Sequence, residues 1–257
     1  MEEQRFQAAL SKALLRGGES GSIGMLGEKT LHSALKFYYE PDEAKHEREF
    51  SGFLADILND EGVIEVQTRG LYKLKRKLAE YSALVGVTVV HPVIRRRGIV
   101  YLDPETGELS KPRLSPKRGR TEDAFSELVH IRNELKLPGV RVVIPLIDAE
   151  EYRIKQGRAT RYGRKPLKFE LIPKALVGET ELDRPGDWLA LLPEELISRR
   201  FSVMELAECA KLPERTASAM CAVLLSLGAL EREREGRRFI YWVRYEGKAD
   251  TDEGLPR

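Results

Sequence analysis

Residues 85–91 read Val-Gly-Val-Thr-Val-Val-His. A short β-branched run with no polar alternation is a strand covered on both faces, and helices are what usually covers a strand twice. That run excludes an all-helical bundle and points to an α/β layer arrangement. The flanking sequence agrees. Residues 2–15 have the apolar spacing of an amphipathic helix, followed by a break at Gly17-Gly18-Glu19-Ser20-Gly21. A second helix is expected from Ser22, as its cap, to Tyr39, stopped by Pro41. Residues 46–58 suit one or two strands, Asn59-Asp60-Glu61-Gly62 a hairpin turn, and Val63–Thr68 the returning strand. Leu71, Leu74, Leu78 and Tyr81 mark one face of the next helix, with Lys73, Arg76 and Lys77 on its other sides.

Further along, Ile99–Leu102 followed by Asp103-Pro104-Glu105-Thr106-Gly107 reads as half of a second hairpin. A basic loop covers 111–120, a helix is expected over Thr121–Lys136, a strand over Val140–Ile147, and a second basic loop over 153–168. From Leu191 the texture changes to short helices. Ser202 with Glu205 three residues later forms a capping box, Pro213 opens another helix that ends at Gly228, and Leu230–Val243 folds as a hairpin about Gly236. Helix, turn, helix, hairpin is the winged-helix order. The expected organisation is an N-terminal helix and loop (1–21), a mixed sheet flanked by helices (22–180), a winged-helix domain (191–247) and a disordered tail (248–257).

Three carboxylates lie inside otherwise apolar elements. Glu28 shares a helical face with Leu31 and Leu35, Asp56 interrupts Phe53–Leu58, and Glu65 interrupts Val63–Val66. An isolated buried carboxylate is costly, so such groups are paired, hydrogen-bonded or bound to a metal. Asp56 and Glu65 are nine residues apart across a tight turn, which puts their strands side by side and lets both point to one face, with Gln67 beside Glu65. Converging carboxylates suit Mg²⁺ or Mn²⁺, hard cations that keep several waters and activate one of them. Taken singly, each acid reads equally well as a surface or salt-bridged carboxylate.

A helical Glu28, then Asp56 on a strand, then Glu65-Val66-Gln67 on the paired strand resembles the PD-(D/E)XK, or restriction-endonuclease-like, nuclease superfamily. The stretch IGMLGEKTLHSALKFYYEPDE with FLADILNDEGVIEVQTR also looks like an uncharacterised bacterial family placed near it. The resemblance covers residues 22–150. It implies an α/β fold with a restriction-endonuclease-like mixed sheet, and Mg²⁺ (or Mn²⁺) held by Asp56 and Glu65 with Glu28 completing the site. It further implies that Gln67 orients the attacking water. The superfamily usually has Lys at position 67, so Arg69 or Lys73 is the expected source of positive charge, and the residue before Asp56 is Ala55 where Pro is usual. His32, one turn after Glu28, is read as a packed core histidine, with a partner of the site as the alternative, and His91 at a strand end is read the same way.

The implied partner is double-stranded DNA, and dimers are common among such nucleases. Expected DNA contacts are Arg69, Lys73, Lys117, Arg118 and Arg120 in the first part, with Arg158, Arg161, Arg164, Lys165 and Lys168 on the second basic loop. In the winged helix they are Arg215, Thr216, Arg237 and Arg238. Glu231, Glu233 and Glu235 on the same hairpin weigh against contact there. Two rivals stand beside a Mg²⁺-dependent DNA endonuclease: a DNA-binding regulator whose nuclease-like domain is inactive, favoured by Gln67, and a protein-docking structural protein. Cys209 and Cys221 lie in apolar helical stretches, which suits reduced thiols in the cytoplasm. No stretch is long and apolar enough for a membrane span, and no export signal, Walker loop, dinucleotide fingerprint or zinc spacing is visible.

Overall fold

In the computed structural model of the chain, residues 2–19, 29–154 and 167–244 are described. The Asn59–Gly62 turn builds the expected hairpin, β2 (Phe53–Asn59) with β3 (Gly62–Val66), in the register Ile57 to Ile64 and Leu58 to Val63. Gly62 is obligatory there. Its φ is 119°, and an added Cβ would stand 2.2 Å from the Gly86 carbonyl oxygen. Residues 46–58 form two strands, β1 (His46–Phe50) pairing antiparallel with β2. The β-branched run becomes β4 (Val87–Val90), buried at every position and parallel to β3.

After β4 the chain turns little. β5 (Val93–Leu102) continues in the same direction, and both β4 and β5 lie parallel beside β7 (Val140–Ile154), β4 along its first half and β5 along its second. His91 donates its backbone N–H to Val143 of β7. By strand alternation the N–H that Pro92 lacks is therefore the one facing the β3 side. β3 stops at Val66, and backbone bonding on that side resumes only at Arg95 and Arg97, whose carbonyls accept from Gly119 and Ser115, before β6 (Arg113–Leu114) pairs with Gly98 and Ile99. The outer edge of the β4–β5 path thus has a notch around Pro92.

β8 (Leu167–Leu182) runs antiparallel along β7 and carries Pro173 at the sheet edge, where a missing donor is tolerated. The strand expected over 140–147 extends to 154 because its charged second half is paired across the sheet. Asp148 meets Arg95 (2.6 Å), Glu151 meets Arg97 (2.6 Å), and Glu150 meets Lys174 (3.4 Å).

Helices cover both faces. On one face α1 (Glu2–Glu19) and α2 (Lys29–Tyr39) pack Phe6, Leu31, Leu35 and Tyr38 against Ile57, Ile64, Val66 and Ile147. On the other lie α3 (Lys75–Ser82), preceded by a 3₁₀ turn over Leu71–Leu74, and α4 (Phe125–Leu128). The single helix expected over 121–136 is instead a chain of 3₁₀ segments around one α-helical turn. Its buried side chains are Ala124, Phe125, Leu128, Ile131 and Leu135, which all face the core shared with the C-terminal part.

The C-terminal part begins with α5 (Pro185–Leu189) and α6 (Glu194–Ile197). β9 (Phe201–Ser202), α7 (Val203–Ala210), α8 (Glu214–Ser226), β10 (Leu230–Glu235) and β11 (Arg238–Val243) follow, with sheet order β10-β11-β9. The expected capping box is present, with the Ser202 hydroxyl accepting from the Glu205 N–H and the Glu205 carboxylate from the Ser202 N–H. Its core is continuous with the second face of the large sheet: Val89, Phe125, Trp188, Phe201, Met220 and Leu224 belong to one buried cluster. The Arg120 guanidinium donates to the Ala210 carbonyl (2.6 Å) and the Ser226 hydroxyl to that of Arg132 (3.0 Å), tying the two parts together at the surface. Cys209 is partly exposed, Cys221 is buried, and neither is in a disulfide. Among the described residues no helix is long and apolar enough to cross a membrane.

Candidate functional site

The β2–β3 ladder opens beyond Ile57 and Ile64, and Asp56 and Glu65 stand at the opening. The Asp56 carboxylate takes over as acceptor. Its Oδ2 receives the Val66 backbone N–H at 2.9 Å and lies 3.2 Å from His32 Nε2 on α2. Burial alone would raise the Asp56 pKa, but the His32 contact, the Val66 N–H and the nearby Lys36 charge outweigh it and hold the carboxyl below its usual value. Lys36, one turn after His32, is itself buried and paired with Glu47 at 2.9 Å.

Glu65 is 2% exposed and faces α3. Lys77 bridges it, with Nζ 2.9 Å from both carboxylate oxygens and 2.6 Å from the Leu54 carbonyl. Burial pushes the Glu65 pKa up, Asp56 adds to the rise, and Lys77 only partly opposes them, leaving it at about 7. Above Glu65 the Tyr81 ring packs between Phe50 and Phe53. Its hydroxyl is buried with no hydrogen-bond partner among the described residues, and its pKa is raised to about 12 by burial and by the two carboxylates. The start of the helix carrying Lys77 is pinned by Glu127, whose carboxylate accepts the Gly70 and Leu71 N–H groups at 2.8 and 3.1 Å.

Two neighbouring carboxylates supply oxygen ligands of the kind a hard divalent cation takes, with the Lys77 ammonium already lying across both oxygens of Glu65. Asp56 and Glu65 would hold it, and the ion would supply charge neutralisation and an activated water. Among the described residues no group of three or more His, Cys, Asp or Glu side chains is gathered for a metal. The third expected ligand, Glu28, lies outside the described residues.

Of the other expected residues, Gln67 turns aside and donates its side-chain N–H to the Arg69 carbonyl (2.6 Å). Neither Arg69 nor Lys73 supplies the cation at Glu65. Both are exposed, and the cation is Lys77, one helical turn beyond Lys73. Its sequence signal was weak, because Lys73, Arg76 and Lys77 all read as the solvated side of an amphipathic helix. His32 is partly exposed and lies against Asp56, rather than being the packed core histidine expected. His91 Nδ1 donates to the Gln67 carbonyl at 2.7 Å, linking β4 to the end of β3.

Lys117 and Arg118 are exposed on a loop that is fixed rather than loose. Ser115 donates to the Arg97 carbonyl (2.8 Å) and Gly119 to that of Arg95 (3.0 Å). Arg120 is engaged with Glu122 and Ala210. Arg158, Arg161, Arg164 and Lys165 lie outside the described residues, whereas Lys168 lies on β8, 3.5 Å from Glu151. In the C-terminal part Arg215 is exposed but Thr216 is buried at 7%, so it faces the core rather than a ligand. Arg237 and Arg238 are exposed at the hairpin tip, and each hairpin glutamate has a cation. Arg200 pairs with Glu233 and Glu235, and Arg244 lies 3.6 Å from Glu231. The expected tail at 248–257 lies outside the described residues.

Comparison with known proteins adds a family but no activity. An uncharacterised protein of Treponema pallidum (strain Nichols) is 32% identical over 146 residues. The match covers 56% of this chain and 58% of that protein, so the chain spans somewhat over half the length of its relative. No solved structure matches. The profile of a domain of unknown function, DUF8091, matches residues 29–183, from the first residue of α2 to just past the end of β8.

Proposed function

The chain belongs to the DUF8091 family, and we propose that it is a Mg²⁺- or Mn²⁺-dependent DNA endonuclease of the restriction-endonuclease-like type, with a winged-helix accessory part. One observation carries the reading. Asp56 and Glu65 stand together on paired strands, next to a helix that follows Glu28 in the chain, and a lysine lies across the second acid. Gln67, the residue in the motif's lysine position, leaves the site without a charge there, and Lys77 supplies one from the neighbouring helix.

With the divalent ion bound, the site gains a Lewis acid against a phosphate oxygen and a water of lowered pKa. The protein's own groups do the rest. Asp56, kept ionised by His32 and Val66, is a fixed acceptor. Glu65, beside Asp56 on the paired strand, would share the ion with it. The Lys77 ammonium holds the Glu65 carboxylate in place and offers positive charge to an incoming phosphate. The exposed Lys117, Arg118, Arg237 and Arg238 supply cations for the phosphate backbone.

The test is cleavage of linear, nicked, branched and single-stranded DNA with Mg²⁺ or Mn²⁺, alongside the double variant Asp56→Asn, Glu65→Gln. Both replacements keep hydrogen-bond acceptors in place. Cutting by the wild type and none by the variant supports the endonuclease. Binding without cutting favours the second reading, a DNA-binding regulator with a silent site, for which the turned-away Gln67 side chain speaks.

A further inference from the structure

The notch at Pro92 is lined as well as open. It forms a cavity of ≈ 330 Å³, at the carboxyl ends of the parallel strands β3 and β4, the place where α/β sheets commonly accept ligands. Its apolar floor comes from Leu31, Val93, Ile94 and Leu171, and its wall carries Arg97, Lys117 and Arg153. Asp123 is the one carboxylate among the described lining residues. Behind the wall the buried Glu151 is shared by Arg97 (2.6 Å), Arg153 (2.6 Å) and Lys168 (3.5 Å), so one negative charge orders three cations. Lys117 makes no ion pair among the described residues.

The wall is built rigidly. The loop carrying Lys117 descends onto β5 at Gly119, where an added Cβ would lie 2.2 Å from the Ile94 carbonyl oxygen. Only glycine permits that approach, which fixes Lys117 over the mouth. The site differs from the carboxylate pair, because neither Asp56 nor Glu65 lines it. It is next to that pair in the chain, since Leu31 precedes His32 and Thr68 follows Gln67.

We propose that this cavity binds the terminal phosphate of a nucleotide or of a polynucleotide strand end, seating the attached sugar or base on the apolar floor. The volume is of the size that holds a small ligand and is too small for a duplex. The surplus of cations over carboxylates matches a dianionic phosphomonoester better than the single charge of a backbone diester. Guanidinium groups already held in place by Glu151 lose little freedom on binding such a group. The site deepens the nuclease reading by adding recognition of a strand end, but the binding it predicts needs neither metal nor cleavage.

Titration of the metal-free full chain with inorganic phosphate, thymidine, thymidine 5′-monophosphate, and oligothymidylate with and without a 5′-phosphate separates the sources. Expected is at least tenfold tighter binding of each 5′-phosphorylated probe over its unphosphorylated counterpart. Lys117→Glu, a change at an exposed loop position, should abolish that preference and leave the thermal unfolding midpoint unchanged. Arg153→Gln should weaken binding by a smaller factor. Equal binding of phosphorylated and unphosphorylated probes, or an unaltered preference in Lys117→Glu, would overturn the proposal. Repeating the titration with Asp56→Asn, Glu65→Gln keeps the two readings apart, because the preference should survive there even if no DNA is ever cut. If inorganic phosphate competes with the mononucleotide at similar concentrations, the phosphate alone is recognised and the apolar floor contributes nothing, which would refute its part of the proposal.

Discussion

Glu65→Gln is the substitution that most directly probes the site, because it alters charge while nearly preserving shape. In the folded chain the Glu65 carboxyl titrates near 7 against an ordinary value of 4.5. A folded pKa above the unfolded one means that the folded state holds its proton more tightly, so stability falls as pH rises through that window and is level above it. Relative to the neutral glutamine, the wild type should lose about 1 kcal/mol by pH 5 and about 3 kcal/mol by pH 8. Lys77 keeps a carbonyl acceptor in the variant, and at low pH the wild-type side chain is neutral too, so the comparison isolates the charge. Urea unfolding of both proteins at pH 5 and pH 8 measures it. The variant should be the more stable at pH 8, with a gap that shrinks by about 2 kcal/mol at pH 5. Mg²⁺ should narrow the pH 8 gap to about half, since an ion present at ten times its Kd adds about 1.4 kcal/mol to the protein that binds it. A gap independent of pH, or a variant less stable than wild type at pH 8, would refute the claim that burial and Asp56 raise the Glu65 pKa.

Two further substitutions test what surrounds that carboxylate. Lys77→Met leaves Glu65 buried beside Asp56 without its cation, and it should cost about 3 kcal/mol at pH 8 and clearly less at pH 5, where Glu65 takes up a proton instead; urea unfolding at both pH values checks it. Gly62→Ala forces a side chain into φ 119° and onto the Gly86 carbonyl, so it should cost on the order of 3 kcal/mol in the same assay, whatever the pH.

The parts of this molecule legible from sequence were those governed by local rules. The β-branched run at 87–90, the Asn59–Gly62 turn and the Ser202–Glu205 capping box each carry their own signal within a few residues. Asp56 and Glu65 were legible because a carboxylate in an apolar strand is an anomaly. Lys77 was not, since a lysine on a helix is ordinary until the tertiary structure lays it across a carboxylate from a strand twelve residues earlier. The second half of β7 was hidden for a related reason: Asp148, Glu150 and Glu151 break the apolar pattern, and only their partners on β5 and β8 make them strand residues. The broken helix at 121–136 carried no such signal, because its buried positions, Ala124, Phe125, Leu128, Ile131 and Leu135, keep the mixed spacing of three and four that a continuous α-helix would show.

The apolar layer running from Val89 through Phe125 and Trp188 to Leu224 has a consequence for how the chain can come apart. Two modules joined by a tether melt separately and can be cut apart. Here Met220 and Leu224 of α8 share one interior with Phe125 of the sheet's helical cover, so neither half is sealed without the other. Unfolding should be a single transition, and a chain ending after Leu182 would show solvent the face that α8 now closes. Any motion of the hairpin tip relative to the large sheet must then come from the tip itself, around Gly236, and not from swinging of the C-terminal part.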